Sequence, residues 1–183
     1  MAATPFNLST GQRAERKQLI TVIEWGTGET PNRAILGTRT EDSSIEYNAD
    51  IETTTDIRGN TYTDMNKTEP EQTFDASPVI GGDTFHEMLN DIRRRNALSE
   101  LQGFTVYVIT AFASISSGDP NPTTSYEAEK HVDCSVTYDS IGGDLNVNFP
   151  FTIHFSNKLT TGTVDKLSSD FTFTPDGKQT YTP

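Results

Sequence analysis

The sequence predicts a mainly β fold: an antiparallel β-sandwich or barrel with one packed α-helix and a long extended hairpin. Three observations carry this. Apolar and polar residues alternate over several segments, most cleanly at 45–57 and 145–155, and a strand sends successive side chains to opposite faces. Gly, Pro, Asn, Asp, Ser and Thr separate these segments as turn formers do. Only one stretch, about 84–98, carries a helical period. The 183 residues, 33% of them hydrophobic, suit one domain at 18–183 with a modest core, behind a polar, aperiodic arm at 1–17 that only a partner would order.

In chain order, Leu19–Trp25 is rich in β-branched and aromatic residues and reads as a strand. Residues 26–33 are a turn cluster, and 34–38 a second short strand. At 45–57, Ile45, Tyr47, Ala49, Ile51 and Ile57 share one parity, while Glu46, Asp50, Glu52 and Asp56 share the other. A strand here would be apolar on one face and acidic on the opposite one. Arg58, Gly59 and Asn60 form its tight turn, with Gly59 free to take positive φ. Residues 61–69 return, polar on both faces and closed by Pro70. A two-stranded hairpin of this composition, spanning about 45–69, is marginal alone and needs strand neighbours.

The helix at about 84–98 opens on a capping box, Thr84 with Glu87, with Asp83 also suited to the start. Phe85, Met88, Leu89 and Ile92 fall at i, i+3, i+4 and i+7, forming one apolar core face. Arg93, Arg94 and Arg95 lie where cations complement the helix dipole, and Gly103 is positioned to end the helix. Residues 104–113 are apolar on both faces, as in a central strand buried on both sides. Residues 116–125 read as a loop. Val132, Cys134, Val136 and Tyr138 then alternate with polar residues, and 141–144 turn the chain. The alternation from Leu145 to Phe155 reads as one strand, in which Pro150 implies an edge or a bulge. Phe171 and Phe173 mark a last short strand before a polar tail.

Charge narrows the function. The net charge is −12, and residues 41–75 hold ten acidic and two basic side chains, two thirds of that excess. Without a Lys/Arg patch, specific nucleic-acid binding is not expected, because phosphate neutralisation supplies most of its affinity. Cys134 is the only cysteine, so an intrachain disulfide is excluded, and its place on an apolar parity makes it a small core hydrophobe. The N-terminus shows no basic segment followed by an apolar stretch, which points to cytoplasmic synthesis. The longest apolar run, near 104–115, is too short for a bilayer.

No catalytic set emerges. His86, His131 and His154 are far apart and lack the companion ligands of a metal site, so they read as solvated or locally bonded. The carboxylate pairs Asp50/Glu52 and Glu127/Glu129 share strand faces, but a glycosidase needs its pair across a cleft. Residues 119–121 and 176–178 fail the spacing of a calcium loop. No P-loop, dinucleotide fingerprint or nucleophile elbow is present. The expectation is a protein that is not an enzyme and takes no cofactor or metal.

The stretch ETTTDIRGNTYTDMNKTEPEQTFDASPV at 52–79, leading into GDTFHEMLNDIRRRNAL at 82–98, resembles the major tail (tail tube) proteins of long-tailed phages. The shared pattern is a polar hairpin, an E-P-x-Q-T-F segment and one amphipathic helix, covering about residues 45–113. The resemblance implies a structural virion subunit, made in the host cytoplasm, whose hexameric rings stack into a tube. It also implies contacts with the tape measure, terminator and baseplate or tip proteins. The hairpin would join neighbouring strands into a continuous barrel around the lumen, and DNA would pass through without specific binding or membrane contact. Glu46, Asp50, Glu52, Asp56 and Asp64 are then the candidates to line that lumen, and Arg58, Gly59 and Asn60 to form the inter-subunit tip. DNA carries about one charge per 1.7 Å of axis, and acids within a Debye length of about 8 Å would keep it from adhering. Related rings, such as a tail terminator, an Hcp-like secretion tube or a bacteriocin tube, are the alternative reading. A carbohydrate-binding sandwich would need an exposed aromatic platform, whereas Trp25 lies inside an apolar strand pattern.

Overall fold

The structure, a computed structural model, describes residues 6–26, 30–40, 42–116 and 124–177. Its strands are β1 (Leu19–Trp25), β2 (Asn32–Ile35), β3 (Ile45–Glu46), β4 (Ala49–Thr55), β5 (Thr61–Thr68), β6 (Glu71–Phe74), β7 (Gln102–Ser116), β8 (Thr124–Tyr138), β9 (Phe151–His154), β10 (Leu159–Val164) and β11 (Phe173–Pro175). The helix α1 (Thr84–Arg95) lies between β6 and β7. Nine strands make one antiparallel sheet in the order β2-β1-β7-β8-β9-β6-β3, with β10 on β8 and β11 on β10; β4 and β5 form a separate two-stranded sheet. The fold is the mainly β, sandwich-like class that the alternation implies.

The centre of the sheet is β7, paired along one side with β1 and along the other with β8. Its two parities serve two cores. Val106 and Val108 join Ile23, Cys134, Val136 and Ile153 under the helix, while Tyr107 and Ile109 join Val22, Ala128, Val164 and Phe171 on the opposite face. That is why residues 104–113 show no apolar/polar alternation. The sheet curls around the first core, because Thr21 Oγ1 of β1 donates to Gln72 Oε1 of β6 at 2.9 Å although three strands separate them in sheet order. Gln72 is fully buried, and its amide also donates to Ser43 Oγ at 3.0 Å, so the crossing leaves no stranded polar group there.

Helix α1 plugs this core. Phe85, Leu89 and Ile92 are buried and Met88 is half-buried against the same cluster, which bears out the apolar stripe. The Phe85 ring meets Phe151 at 5.1 Å and Trp25 at 5.7 Å between centroids. The N-cap is Asp83, not Thr84. Its carboxylate accepts from the backbone N–H of Phe85 and His86 at 3.1 and 3.2 Å, and Thr84 is the first helical residue. The helix ends at Arg95 with Asn96 in the left-handed region (φ 54°), so Gly103 does not terminate it and instead opens β7.

Other expectations need correction. The segment 45–57 is two strands, interrupted at Tyr47 and Asn48, where Asn48 takes a φ of 36°. The second strand is Asn32–Ile35 rather than 34–38. Only Phe151–His154 of the alternating segment 145–155 is a strand, and Pro150 stands immediately before it. That strand is interior, between β8 and β6, so Pro150 marks its start and not an edge. Val132 does not share the Cys134 face. Asp133 takes a φ of 59° at a bulge where the pairing of β7 with β8 shifts, and His131 is buried in its place against Phe155. Strands β6 and β10 were not anticipated. The bulge explains β10: β8 pairs with β9 beyond it and with β10 before it, and Val132 N–H donates to Lys158 O at 3.2 Å where the chain passes between them. Part of the N-terminal arm is tied down within the protomer. Asn7 N–H donates to Phe112 O at 2.9 Å and the Phe6 ring packs edge-on against Phe112, where β7 runs past the start of β1. Residues 117–123 of the expected loop, Glu41 of the acidic segment and the tail from 178 lie outside the described residues.

Candidate functional site

The feature unlike the rest of the molecule is the hairpin β4–β5. Among the described residues its two strands pair only with each other, and every residue of β4 is exposed. Two strands without a buried face have no hydrophobic reason to persist in water. Its turn compensates locally. Asp56 accepts at Oδ1 from the backbone N–H of Arg58 and Asn60, both at 2.8 Å, and at Oδ2 from Asn60 Nδ2 at 3.0 Å and Tyr62 O–H at 3.2 Å. These donors, the Asn60 side chain above all, hold the Asp56 carboxyl below its ordinary pKa. Gly59 supplies the positive φ of 81° that the turn requires.

The expected lumen residues separate into three settings. Asp64 of β5 stands directly opposite Glu52 of β4, while Asp50 pairs with Lys67 on the far side of a register shift between Asp50 and Ile51. A carboxylate facing a carboxylate across a strand pair costs stability, so the Glu52/Asp64 pair does not stabilise the isolated protomer. Glu46 belongs to β3, which pairs with β6 in the large sheet, and is not on the hairpin. Asp56 is the turn's acceptor and not part of a strand face. The continuous acidic face read across 46–56 is therefore broken at the Asn48 kink and ends before Asp56. Ile51 and Tyr47 are exposed, contrary to the apolar face expected of them, and Ile57 at the tip is fully so. Arg58, Gly59 and Asn60 form the tip as expected.

The hairpin joins the body through a polar root. Asn48 Nδ2 donates to Glu71 Oε1 at 2.9 Å and to Glu69 O at 3.3 Å, and His154 Nδ1 lies 3.5 Å from Glu71 Oε2. An open hollow of about 430 Å³ sits there, lined by Asn48, Glu71, His154 and Asn157 among others.

Elsewhere the chemistry is structural. Of the two readings open to the histidines, His86 takes the locally bonded one and is buried: its Nδ1 bonds the Asp83 carboxylate at 2.7 Å and its Nε2 lies 3.1 Å from Ser77 Oγ. It locks the helix cap to the segment before it. No periodicity signals this role, because His86 sits beside Phe85 off the apolar stripe. Arg33 bonds Glu24 at 2.6 Å and the Phe171 carbonyl at 2.7 Å, and its guanidinium lies 4.6 Å from the Phe171 ring centre, pinning the second core. Burial pushes the Cys134 thiol up to about 11, which suppresses its thiolate. Among the described residues no cluster of His, Cys, Asp and Glu is placed to hold a metal ion, and no helix is long and apolar enough to cross a membrane. No protein-family model matches the chain, and no curated protein matches it.

Proposed function

We propose that the chain is a phage tail tube subunit, a structural protein whose hexameric rings stack into a hollow cylinder that conducts DNA during ejection. In this reading β4–β5 finds its missing strand partners in sister subunits, and Asp50, Glu52 and Asp64 face the bore. The observation that supports it best is the exposed, separate β4–β5 sheet, with carboxylates opposed on one face. Association would cover open strand edges that otherwise template uncontrolled pairing. It would also set the acids where repulsion is useful, against a polyanion within a screening length of about 8 Å.

Negative-stain microscopy of the purified protein over a concentration series tests this. Rings and stacked tubes of uniform bore are expected, and a chain that stays monomeric at every concentration contradicts the reading. In a phage carrying Asp50→Lys, Glu52→Lys and Asp64→Lys together, tubes should form while DNA ejection slows. Unchanged ejection removes the lumen assignment.

A further inference from the structure

We propose that the hairpin tip, through Ile57 and Arg58, docks on an apolar patch of a second copy of this chain, formed by Val79, Ile141, Leu145 and Val147. The inference rests on the reading that the hairpin mediates self-association, and it names the surface that the tip meets.

Among the exposed large apolar side chains of the described residues, Ile57 and Leu145 show the largest fractions of their surface. Ile57 shows 105% of its reference area to solvent, at the end of an element whose described side chains contribute nothing to either core. Leu145 shows 95%, and Val79, Ile141 and Val147 are about half exposed. The second group is held together by backbone. Val79 N–H donates to Val147 O at 2.9 Å, and Gly142 and Asn148 exchange bonds of 3.1 and 2.8 Å. The turn that carries Leu145 is specified by a glycine. Gly143 has a φ of 152°, and a Cβ there would stand 2.2 Å from Asn146 O. Leu145 is thus presented outward by a turn that tolerates only glycine, not left over from poor packing. Apolar groups gathered this way on a surface mark an interaction site.

Charge identifies the occupant. Arg58 stands beside Ile57, and Asp139 and Asp144 flank the patch. None of the three side chains makes a hydrogen bond or ion pair among the described residues. In a chain of net charge −12, a cation without a partner next to an exposed isoleucine complements an apolar patch whose segment, 139–147, carries two carboxylates without partners. Knob and patch are carried by the same chain at different places. A tip-to-patch contact is therefore heterologous, the kind that repeats from copy to copy and closes into a ring or continues as a filament.

The test uses Ile57→Cys and Leu145→Cys in one chain. The native Cys134 is fully buried, which leaves a clean background. Oxidation of the assembled double variant should give a ladder of disulfide-linked multimers, whereas either single variant should stop at dimers. Assembled protein that yields no linkage between positions 57 and 145 overturns the proposal. Independently, Leu145→Asp and Arg58→Asp should each raise the concentration for half-assembly at least tenfold with unchanged melting temperature, and Asp144→Arg should restore assembly to the Arg58→Asp chain. Wild-type assembly by both single variants also overturns it. A chain lacking residues 51–64 separates the two levels. If it assembles normally, the hairpin reading itself fails; if it does not assemble while the tip and patch variants do, only the docking surface is wrong.

Discussion

Asp56 shows how one side chain can substitute for a missing core. Four donors converge on its carboxylate in a turn that nothing else covers. The sign of its pH dependence follows from its depressed pKa. The stabilisation is present above the ordinary value of 3.8 and is lost as pH falls through the lower folded value. Carbon-13 NMR titration should therefore place the Asp56 midpoint below 3.8, with amide protection at Arg58 and Asn60 fading across the same range. Asp56→Ala should remove that protection at every pH, and a midpoint at or above 3.8 contradicts the turn's dependence on it. Single positions were legible where chemistry alone dictates them: the turn glycine at 59 and the buried thiol at 134. His86 and Gln72 were not, because what makes them structural is a partner distant in the fold or off the helical stripe, Ser77 for one and Thr21 and Ser43 for the other.

Among the elements, α1 and β4–β5 are opposites. The helix is stabilised by burial of Phe85, Leu89 and Ile92, each contributing about 1.5–3 kcal/mol. Phe85→Ala should cost about 3–5 kcal/mol in denaturant unfolding, since its ring sits among Trp25, Phe104 and Phe151 and the cavity cannot collapse easily. A loss under about 1 kcal/mol would show that the helix does not plug the core. Strand β4 buries nothing comparable, and the same unfolding measurement should be almost indifferent to Thr53→Ala on it, within about 0.5 kcal/mol. Both elements were readable, the helix from its apolar stripe and the hairpin from the tight turn at 58–60 between two strand-like segments. The strands around Asp133 were not. A bulge inverts the face of every residue beyond it, and periodicity read straight through placed Val132 inside and His131 outside. Likewise the Leu145–Phe155 alternation continues through a turn whose apolar residues point to solvent, so pattern overstated the strand.

For the whole molecule, composition and alternation sufficed for a mainly β, sandwich-like class, while the curl of the sheet and the fork at β8 depend on pairings between residues 28 to 51 apart. The body is complete as a protomer: two cores, one on each face of β7, and a capped helix closing one of them. Among the described residues, β4–β5 and the turn carrying Leu145 belong to neither core, and on the proposed reading they are the means of association. A helical reconstruction of the assembled protein by electron cryomicroscopy tests this most directly. It should place β4 and β5 hydrogen-bonded to strands of neighbouring subunits, with Asp50, Glu52 and Asp64 toward the central bore. Density that puts these strands on the outer wall, or against their own protomer alone, would contradict it.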